Sequence, residues 1–373
     1  MLFSEQDIDL LRLLRWCRYV PCDALTSLFS ENTIDNLRYL KLLTLHTKSD
    51  SFVLTNRGNQ FLDKNLDGLP AATPPSYRKD EVRRRLRVSR LTLTVYRAGV
   101  PVFLNHIESL AKSPSYYLTA LSRVRGFNPW GSTRIAALLH LNDMVYALHY
   151  IFPDVGGLAL TDELNAFNNN TAHLGKVKRG MIFAGESYGS VLMALSVGEN
   201  SPGERLTTYE EAYRGTALPV YLLSCDDIGA LQLRVMAQPD YRRRLTVAAL
   251  KNQFQPAPGE HPEWDAMFQG APFVMAADMD LRRIDTAIQS ARAEGLGQIA
   301  MAALDGQAKS VLSLRYRIPG LARVFTLSDD AIASLGDMAL YTPSGRQFET
   351  SEGGVIDAPL IQADRKGRGQ SAK

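Results

Sequence analysis

The first 68 residues alternate between helical and strand-like hydrophobic patterns. In "SEQDIDLLRLLRWCRYV", Ile8, Leu11 and Trp16 recur at helical spacing, and Ser4 followed by acids is typical of a helix start. "PCDALTSLFS" and "ENTIDNLRYLKLLT" predict two more helices, whereas "LTLHTKSDSFVLTNRG" alternates apolar and polar residues around a turn and predicts a β-hairpin. "TNRGNQFLDK" predicts a short closing helix. Three helices followed by a hairpin is the order of a winged helix-turn-helix domain over residues 1–68.

The next segment, residues 69–130, begins as a linker and continues as a helix. "DGLPAATPPSY" holds three prolines among small residues, which is typical of a linker. In "RKDEVRRRLRVSRLTLTVYRAGV", Val82, Leu86 and Leu93 recur at helical spacing, although a strand is an alternative for "LTLTVY". Four arginines fall on one stripe beside this apolar face: Arg83, Arg87, Arg90 and Arg97.

From about residue 131 the pattern becomes one of strands separated by helices. "STRIAALLHLNDMVYALHYIF" predicts a hairpin that turns at Asn142-Asp143. "RGMIFAGE", "LPVYLLSC", "PFVMAADMD" and "QIAMAAL" are apolar runs, which favour a mainly parallel sheet covered on both faces. Ser187 and Asp226 are expected to cap helices, the second of them one long helix, "DIGALQLRVMAQPDYRRRL". We predict an α/β domain over residues 131–345 and a disordered tail over residues 346–373.

Composition narrows the class of protein. The chain is 45% hydrophobic and 22% charged, ordinary values for a globular protein, and it contains no apolar run of membrane-spanning length and no signal-peptide pattern. The chain has three cysteines and no second Cys or His pair at metal-ligand spacing. This pattern argues against a disulfide framework and against a zinc site. We therefore expect a cytoplasmic protein that has no contact with a membrane.

Charge is unevenly distributed along the chain. The net charge is +3, yet residues 69–100 alone hold eight basic and two acidic residues. We expect the charge of the arginine stripe to be largely unpaired and to meet the phosphates of DNA. The predicted third helix would read or touch the groove, and the hairpin would touch the neighbouring backbone. The predicted contacts are Asn32, Thr33, Asn36, Arg38, Tyr39, Lys41 and Lys48, together with Arg83, Arg87, Arg90 and Arg97.

Catalytic motifs are weak. "GESYG" has a distant similarity to the nucleophile elbow of hydrolases, but the only later histidine is His261, and a helix cap is the favoured role of Ser187. No phosphate-binding glycine loop is present. A nuclease would need clustered carboxylates that hold a cation such as Mg²⁺, and the candidate acids are Asp154, Glu163 and Glu186. His140 and His149 are expected to be structural, and no resident cofactor or metal is expected.

The quoted segments carry a resemblance to a known family. Residues 10–62 resemble the winged-helix segment of the replication-relaxation family, which is carried on plasmids and integrative conjugative elements. "GSTRIAALLHLNDMVYALHYI", "GMIFAGESYGSVLMALSVGE" and "VYLLSCDDIGALQLRVM" are similar to related proteins of clostridial conjugative elements. The resemblance implies a role in replication, relaxation or transfer of a mobile element, with DNA as the partner. Some members resemble restriction endonucleases in the C-terminal half, and this chain has Pro153-Asp154 of that pattern without the remainder.

The sequence thus predicts a DNA-binding accessory protein of a mobile element, without catalysis. Its α/β domain would be of restriction-endonuclease-like or Rossmann-like character, its partners would be double-stranded DNA and relaxase or replication proteins, and it could form a homodimer. Two alternatives stay open. One is a metal-dependent nuclease that uses the three acids and Mg²⁺, and the other is a transcriptional regulator that senses a small ligand near Gly185 and Ser187.

Overall fold

The computed structural model describes residues 3–73, 76, 78–123, 127–153, 157–196, 207–316, 322–336, 347–349 and 355–357. Within these ranges the chain is a mixed α/β protein. Most of the predicted 346–373 tail lies outside the described residues.

The N-terminal unit is built from four helices and a three-stranded sheet. Its elements are α1 (Glu5–Cys17), β1 (Val20–Pro21), α2 (Cys22–Thr26), α3 (Glu31–Tyr39), β2 (Leu43–His46), β3 (Ser51–Leu54) and α4 (Asn56–Asn65). The strands pair antiparallel in the order β1-β3-β2. The predicted helices and hairpin are confirmed, and Ser4 caps α1 by accepting a hydrogen bond from the Asp7 backbone. The short strand β1 escaped prediction because two residues carry no periodicity.

The arginine-rich segment is a helix along its whole length. Helix α5 (Lys79–Arg97) includes "LTLTVY", so the alternative of a strand is wrong. It packs against α1, α2 and β1, and also against β6 (Met144–Tyr150), β7 (Lys178–Gly185) and α9 (Asp227–Met236). Leu91, Leu93 and Val95 are buried in one hydrophobic core that runs from the N-terminal helices into the neighbouring sheet. Helix α5 therefore joins the two parts of the molecule through packing and is more than a connection.

The first of two larger sheets has five strands in the order β4-β5-β6-β7-β8. They are β4 (Ser115–Leu118), β5 (Ile135–Leu141), β6 (Met144–Tyr150), β7 (Lys178–Gly185) and β8 (Val220–Ser224). Strands β4 to β6 are antiparallel, and β6 to β8 are parallel. The predicted hairpin turn is confirmed, with Asn142 in the left-handed region at φ 54°. Strand β4 lies within the segment that the sequence assigned to the linker and arginine-rich helix.

Within the described residues, five helices lie between these strands or directly after them in the chain: α6 (Leu160–Asn170), α7 (Tyr188–Ser196), α8 (Tyr209–Gly215), α9 (Asp227–Met236) and α10 (Tyr241–Leu250). Asp226 caps α9 as predicted, accepting from the Gly229 backbone at 2.9 Å. The predicted long helix "DIGALQLRVMAQPDYRRRL" is wrong, because it divides into α9 and α10. The break falls at Pro239 and at Asp240, whose φ of 51° ends the helical path.

The second sheet has four strands in the order β12-β11-β10-β9. Its elements are β9 (Ala266–Phe268), β10 (Ala271–Met275), α11 (Leu281–Ala293), β11 (Ile299–Ala303), α12 (Asp305–Gln307), α13 (Ser313–Arg315), β12 (Ala322–Thr326) and α14 (Asp329–Ala333), and a separate pair is formed by β13 (Gln347–Glu349) and β14 (Val355–Asp357). The predicted single, mainly parallel sheet is therefore corrected to two sheets of mixed direction. They meet where the Leu222 amide donates to the Met279 carbonyl at 3.1 Å.

Candidate nucleic-acid interface

Helix α3 presents a polar face to solvent. Ile34 and Leu37 are buried in the core, which turns the opposite side outward. Asn32, Asn36, Arg38 and Tyr39 lie on the exposed side, and Thr33 is half-buried beside the capping residue Ser30. Tyr39 is 87% exposed, which is unusual for an aromatic side chain. This face offers amide, guanidinium and phenol groups to a partner.

Two exposed lysines follow this helix in the chain. Lys41 follows α3 with a left-handed φ of 57°, and Lys48 lies in the turn between β2 and β3; both are exposed. Arg38 is partly neutralised, since its Nη1 lies 3.1 Å from Asp35 in the preceding turn of α3. The positive charge at this surface thus comes mainly from the two lysines.

Two arginines of the α5 stripe are paired with acids from distant elements. Arg90 Nη2 lies 2.8 Å from Asp23 and 3.7 Å from Glu186. Arg97 contacts Asp227 and the hydroxyl of Ser27. The expectation of largely unpaired charge is wrong for these two residues. Their acids come from the N-terminal unit, from the residue after β7 and from the start of α9, so they connect α5 to both parts of the molecule.

The other two members of the stripe differ from each other in exposure. Arg83 is exposed, whereas Arg87 is half-buried with its guanidinium 3.2 Å from the centre of the Phe152 ring. The structure brings Arg83, Arg87 and Arg90 to one cavity of about 560 Å³, which the hairpin residues Ser49 and Asp50 also line. The hairpin and the stripe are therefore neighbours. That these residues contact DNA stays a prediction.

The proposed nuclease acids do not converge within the described residues. Glu163 is buried, where it accepts from the Arg134 backbone at 2.7 Å and lies 3.1 Å from His149 Nε2. Glu186 is exposed beside Arg90. Asp154 lies outside the described residues. Among the part of the chain that is described, no group of three His, Cys, Asp or Glu side chains is arranged to hold a metal ion.

Ser187 has the geometry of a helix cap. Its hydroxyl accepts from the Ser190 backbone at 3.2 Å, and the Ser190 hydroxyl contacts the Ser187 backbone amide at 3.0 Å. His261, the candidate base of a hydrolase, lies 3.1 Å from Glu263 and stacks on Trp264. Both side chains thus have structural roles, and the capping role predicted for Ser187 is confirmed.

The cysteine thiols are held in their protonated form. Burial raises the pKa of Cys17 to about 11, and that of Cys22 and of Cys225 to about 12. All three are free thiols. Since the thiolate is the nucleophile and the metal ligand, these cysteines are poorly suited to either role at neutral pH.

A buried ionic cluster joins the second sheet to α10 and α11. Arg242 contacts Asp278 at 2.5 Å and Asp280 at 3.4 Å, and Tyr241 donates to Asp278 at 2.6 Å. Arg283 lies 2.6 Å from Asp265 and 3.7 Å from Asp278. We call these residues the aspartate cluster. Asp280 also caps α11, since it accepts from the Arg283 backbone at 3.2 Å.

In the described part of the chain no helix has the length and apolar character that crossing a membrane requires. No family model, curated protein or solved structure matches the chain. The resemblance to replication-relaxation proteins accordingly stays a prediction.

Proposed function

We propose that the protein binds duplex DNA through a winged helix formed by residues 1–68. In this proposal α3 enters the major groove, and the β2–β3 hairpin is the wing that lies along the adjacent backbone. The observation that carries it is the conjunction of two features: the order helix, strand, helix, helix, strand, strand with sheet order β1-β3-β2, and the exposed polar face of α3.

The charges divide between two roles. Exposed Lys41, Lys48 and Arg83 would neutralise phosphates, with Arg38 contributing from α3. Arg90 and Arg97 would instead hold the N-terminal unit on the five-stranded sheet, because their guanidinium groups are already paired. Arg87 would reach DNA only by leaving the Phe152 ring. The winged helix would thus be presented on a rigid base.

A role in a mobile element is the second part of the proposal. It is supported by the resemblance of residues 10–62 and of the later segments to replication-relaxation proteins. Replication, relaxation or transfer of a plasmid or conjugative element would supply the DNA site, and a relaxase or replication protein would be the protein partner. A homodimer and a cytoplasmic location belong to the same proposal.

The experiment is duplex binding measured by fluorescence anisotropy at 50 to 300 mM salt. Lys41→Glu/Lys48→Glu is compared with Arg292→Glu/Lys309→Glu, which changes the net charge equally at exposed positions of the second sheet's helices. The first variant should weaken binding at least tenfold and flatten the salt slope by about 1.8, as roughly 0.9 is lost per phosphate contact. Equal effects of the two variants would show that binding is unspecific attraction and would contradict the proposal.

A further inference from the structure

A second cavity shares Arg87, Tyr150 and Phe152 with the cavity beside the hairpin. It has a volume of about 350 Å³ and is formed by the N-terminal half of α5, by residues 119–123 after β4, by residues 132–136 at the start of β5, and by the end of β6. The volume falls in the range of small-ligand sites. We call it the arginine pocket.

The charge of the arginine pocket has one sign. Arg84, Arg85 and Arg87 reach it from α5, Arg123 from the segment after β4, and Arg134 from the start of β5. Among its described lining residues there is no Asp and no Glu. Five guanidinium groups brought together from three segments repel one another, and Glu81 on the same helix offsets only part of the charge of Arg84 and Arg85.

Several donors in the pocket residues lack partners. The Nε atoms of Arg85 and Arg123 and the hydroxyl of Thr133 are buried and make no hydrogen bond within the described structure. Burial, followed by the nearby charges of Arg18 and Arg84, lowers the pKa of Arg85 to about 10. Burial and Arg84 also lower the pKa of Arg123. Buried polar groups in folded proteins are normally satisfied, which indicates that an absent acceptor belongs here.

The remaining walls are apolar and aromatic. Val88, Ile135, Tyr150, Phe152 and Tyr209 line the pocket beside the arginines. A ligand that fills the pocket therefore needs both an anionic group and a flat, less polar part. Phosphate suits the first requirement because it accepts paired hydrogen bonds from guanidinium forks and carries more charge than a carboxylate.

We propose that the arginine pocket binds a small phosphorylated molecule of the nucleotide class, with its phosphate on the guanidinium groups of Arg85, Arg123 and Arg134 and its ring against the aromatic wall. The proposal is independent of DNA binding by the N-terminal unit. A phosphate of duplex DNA is the other source of the same chemistry. It is less favoured because the unpaired Nε atoms are buried and a duplex presents its phosphates on a broad, rigid surface.

The first test is thermal unfolding of the full chain with four nucleoside 5′-monophosphates, adenosine, inorganic phosphate, sulfate and a 20-base-pair duplex, at fixed ionic strength. At least one nucleotide should raise Tm by several degrees at millimolar concentration, because a ligand bound only to the folded state stabilises it. Adenosine should not, and sulfate should give a smaller shift. No shift with any nucleotide would overturn the proposal, and an equal shift with sulfate would overturn its nucleotide part.

The second test is calorimetric titration of the best nucleotide into variants. Arg123→Gln and Arg134→Gln should each weaken binding about tenfold to a hundredfold, since each removes a charge-assisted hydrogen bond. Lys79→Gln, which removes an exposed cation on the same helix but outside the pocket, is the matched control and should bind like wild type. Equal affinity in all three variants would overturn the proposal.

The two tests separate this proposal from the proposed function. A nucleotide that stabilises the protein while the duplex fails to bind supports the pocket and contradicts the winged-helix proposal. A duplex that binds and shows the same loss with Arg123→Gln would place a DNA phosphate in the pocket and overturn the small ligand.

Discussion

The aspartate cluster and the arginine pocket both hold half-buried or buried arginines. In the cluster, acids lie at contact distance from those arginines, and the described lining of the pocket has none. In the cluster, Arg242 and Arg283 face three acids, Asp265, Asp278 and Asp280, at contact distance. In the pocket, the Nε atoms of Arg85 and Arg123 are buried without a hydrogen-bond partner, and no acid is among the described lining residues. The same side chain thus serves two purposes, and the presence of a partner distinguishes them.

The arginine pKa values show the same contrast, because that of Arg242 in the cluster is raised and that of Arg85 in the pocket is lowered. Burial alone would raise the pKa of Asp278, but the charges of Arg242 and Arg283 outweigh it and lower the pKa to about 2. Asp278 and Asp280 in turn raise the pKa of Arg242, although burial alone would lower it. In the pocket, burial and the neighbouring arginines lower the pKa of Arg85 by more than Glu81 raises it. Acids that face an arginine stabilise its charged form, whereas burial among other arginines destabilises that form.

The largest expected effect is on the cluster. Asp278→Asn leaves Arg242 without its closest charge and should lower the free energy of unfolding by about 3–5 kcal/mol, measured by urea titration. Asp305→Asn, which removes an exposed acid paired with Lys309, is the control and should change it by less than about 1 kcal/mol. A similarly small effect at Asp278 would show that the cluster does not hold the fold together.

The acid limb of the stability profile should follow from the same residue. Because the pKa of Asp278 is lowered from 3.8 to about 2, its contribution is present above about pH 4 and is lost as the pH falls towards 2. It should amount to about 2 kcal/mol. The pKa of Asp280 is raised, mainly by burial and then by Asp278. The contribution of Asp280 to stability therefore changes with pH in the opposite direction. Denaturation at pH 2 to 5 should show a shallower acid limb in Asp278→Asn than in wild type; parallel limbs would refute the assignment.

The stripe on α5 offers a comparison between paired and exposed arginines. Arg90→Glu places an acid beside Asp23 and Glu186 and should lower the free energy of unfolding by about 1–2 kcal/mol. Arg83→Glu, on the same helix and exposed, should change it by less than about 0.5 kcal/mol. Thermal unfolding of both variants distinguishes a structural Arg90 from one that is only a surface charge, for which the two losses would be equal.

The smallest expected effect is in the pocket, and its sign is informative. Arg85→Gln removes a half-buried guanidinium whose pKa is lowered by burial and by Arg18 and Arg84 more than Glu81 raises it, so the ligand-free protein should be unchanged or more stable by up to about 1 kcal/mol. Arg242→Gln, the equivalent change in the aspartate cluster, should be clearly destabilising. Urea titration of the pair decides the comparison, and a large loss in Arg85→Gln would mean that the pocket is a completed structural network.

What the sequence predicted well was local. Helix caps at Ser4, Ser187 and Asp226 and the turn at Asn142 depend on hydrogen bonds and backbone angles within a few residues, and all are confirmed. The pairing of Arg90 with Asp23 joins residues 67 positions apart, and Arg242 meets Asp278 across 36. The hydrophobic periodicity of the sequence does not indicate such partners, because they are brought together only by tertiary packing.

The candidate sites divide in the same way. The exposed face of α3 follows from its amphipathic pattern, so Asn32, Asn36 and Tyr39 were predictable as surface residues. The arginine pocket was not, since Arg123 and Arg134 lie outside the basic run and join it only through the strands β4 and β5. The division of the strands between two sheets was equally hidden, because apolar runs do not reveal which strand is the neighbour.

The central claim, that the N-terminal unit binds duplex DNA, is tested most directly by the salt dependence of wild-type binding. If Arg38, Lys41, Lys48 and Arg83 each neutralise one phosphate, the logarithm of the association constant should fall with the logarithm of salt concentration with a slope of about −3.6. Arg83→Glu should reduce the slope to about −2.7. A duplex that does not bind at 50 mM salt, or a slope near zero, would contradict the claim.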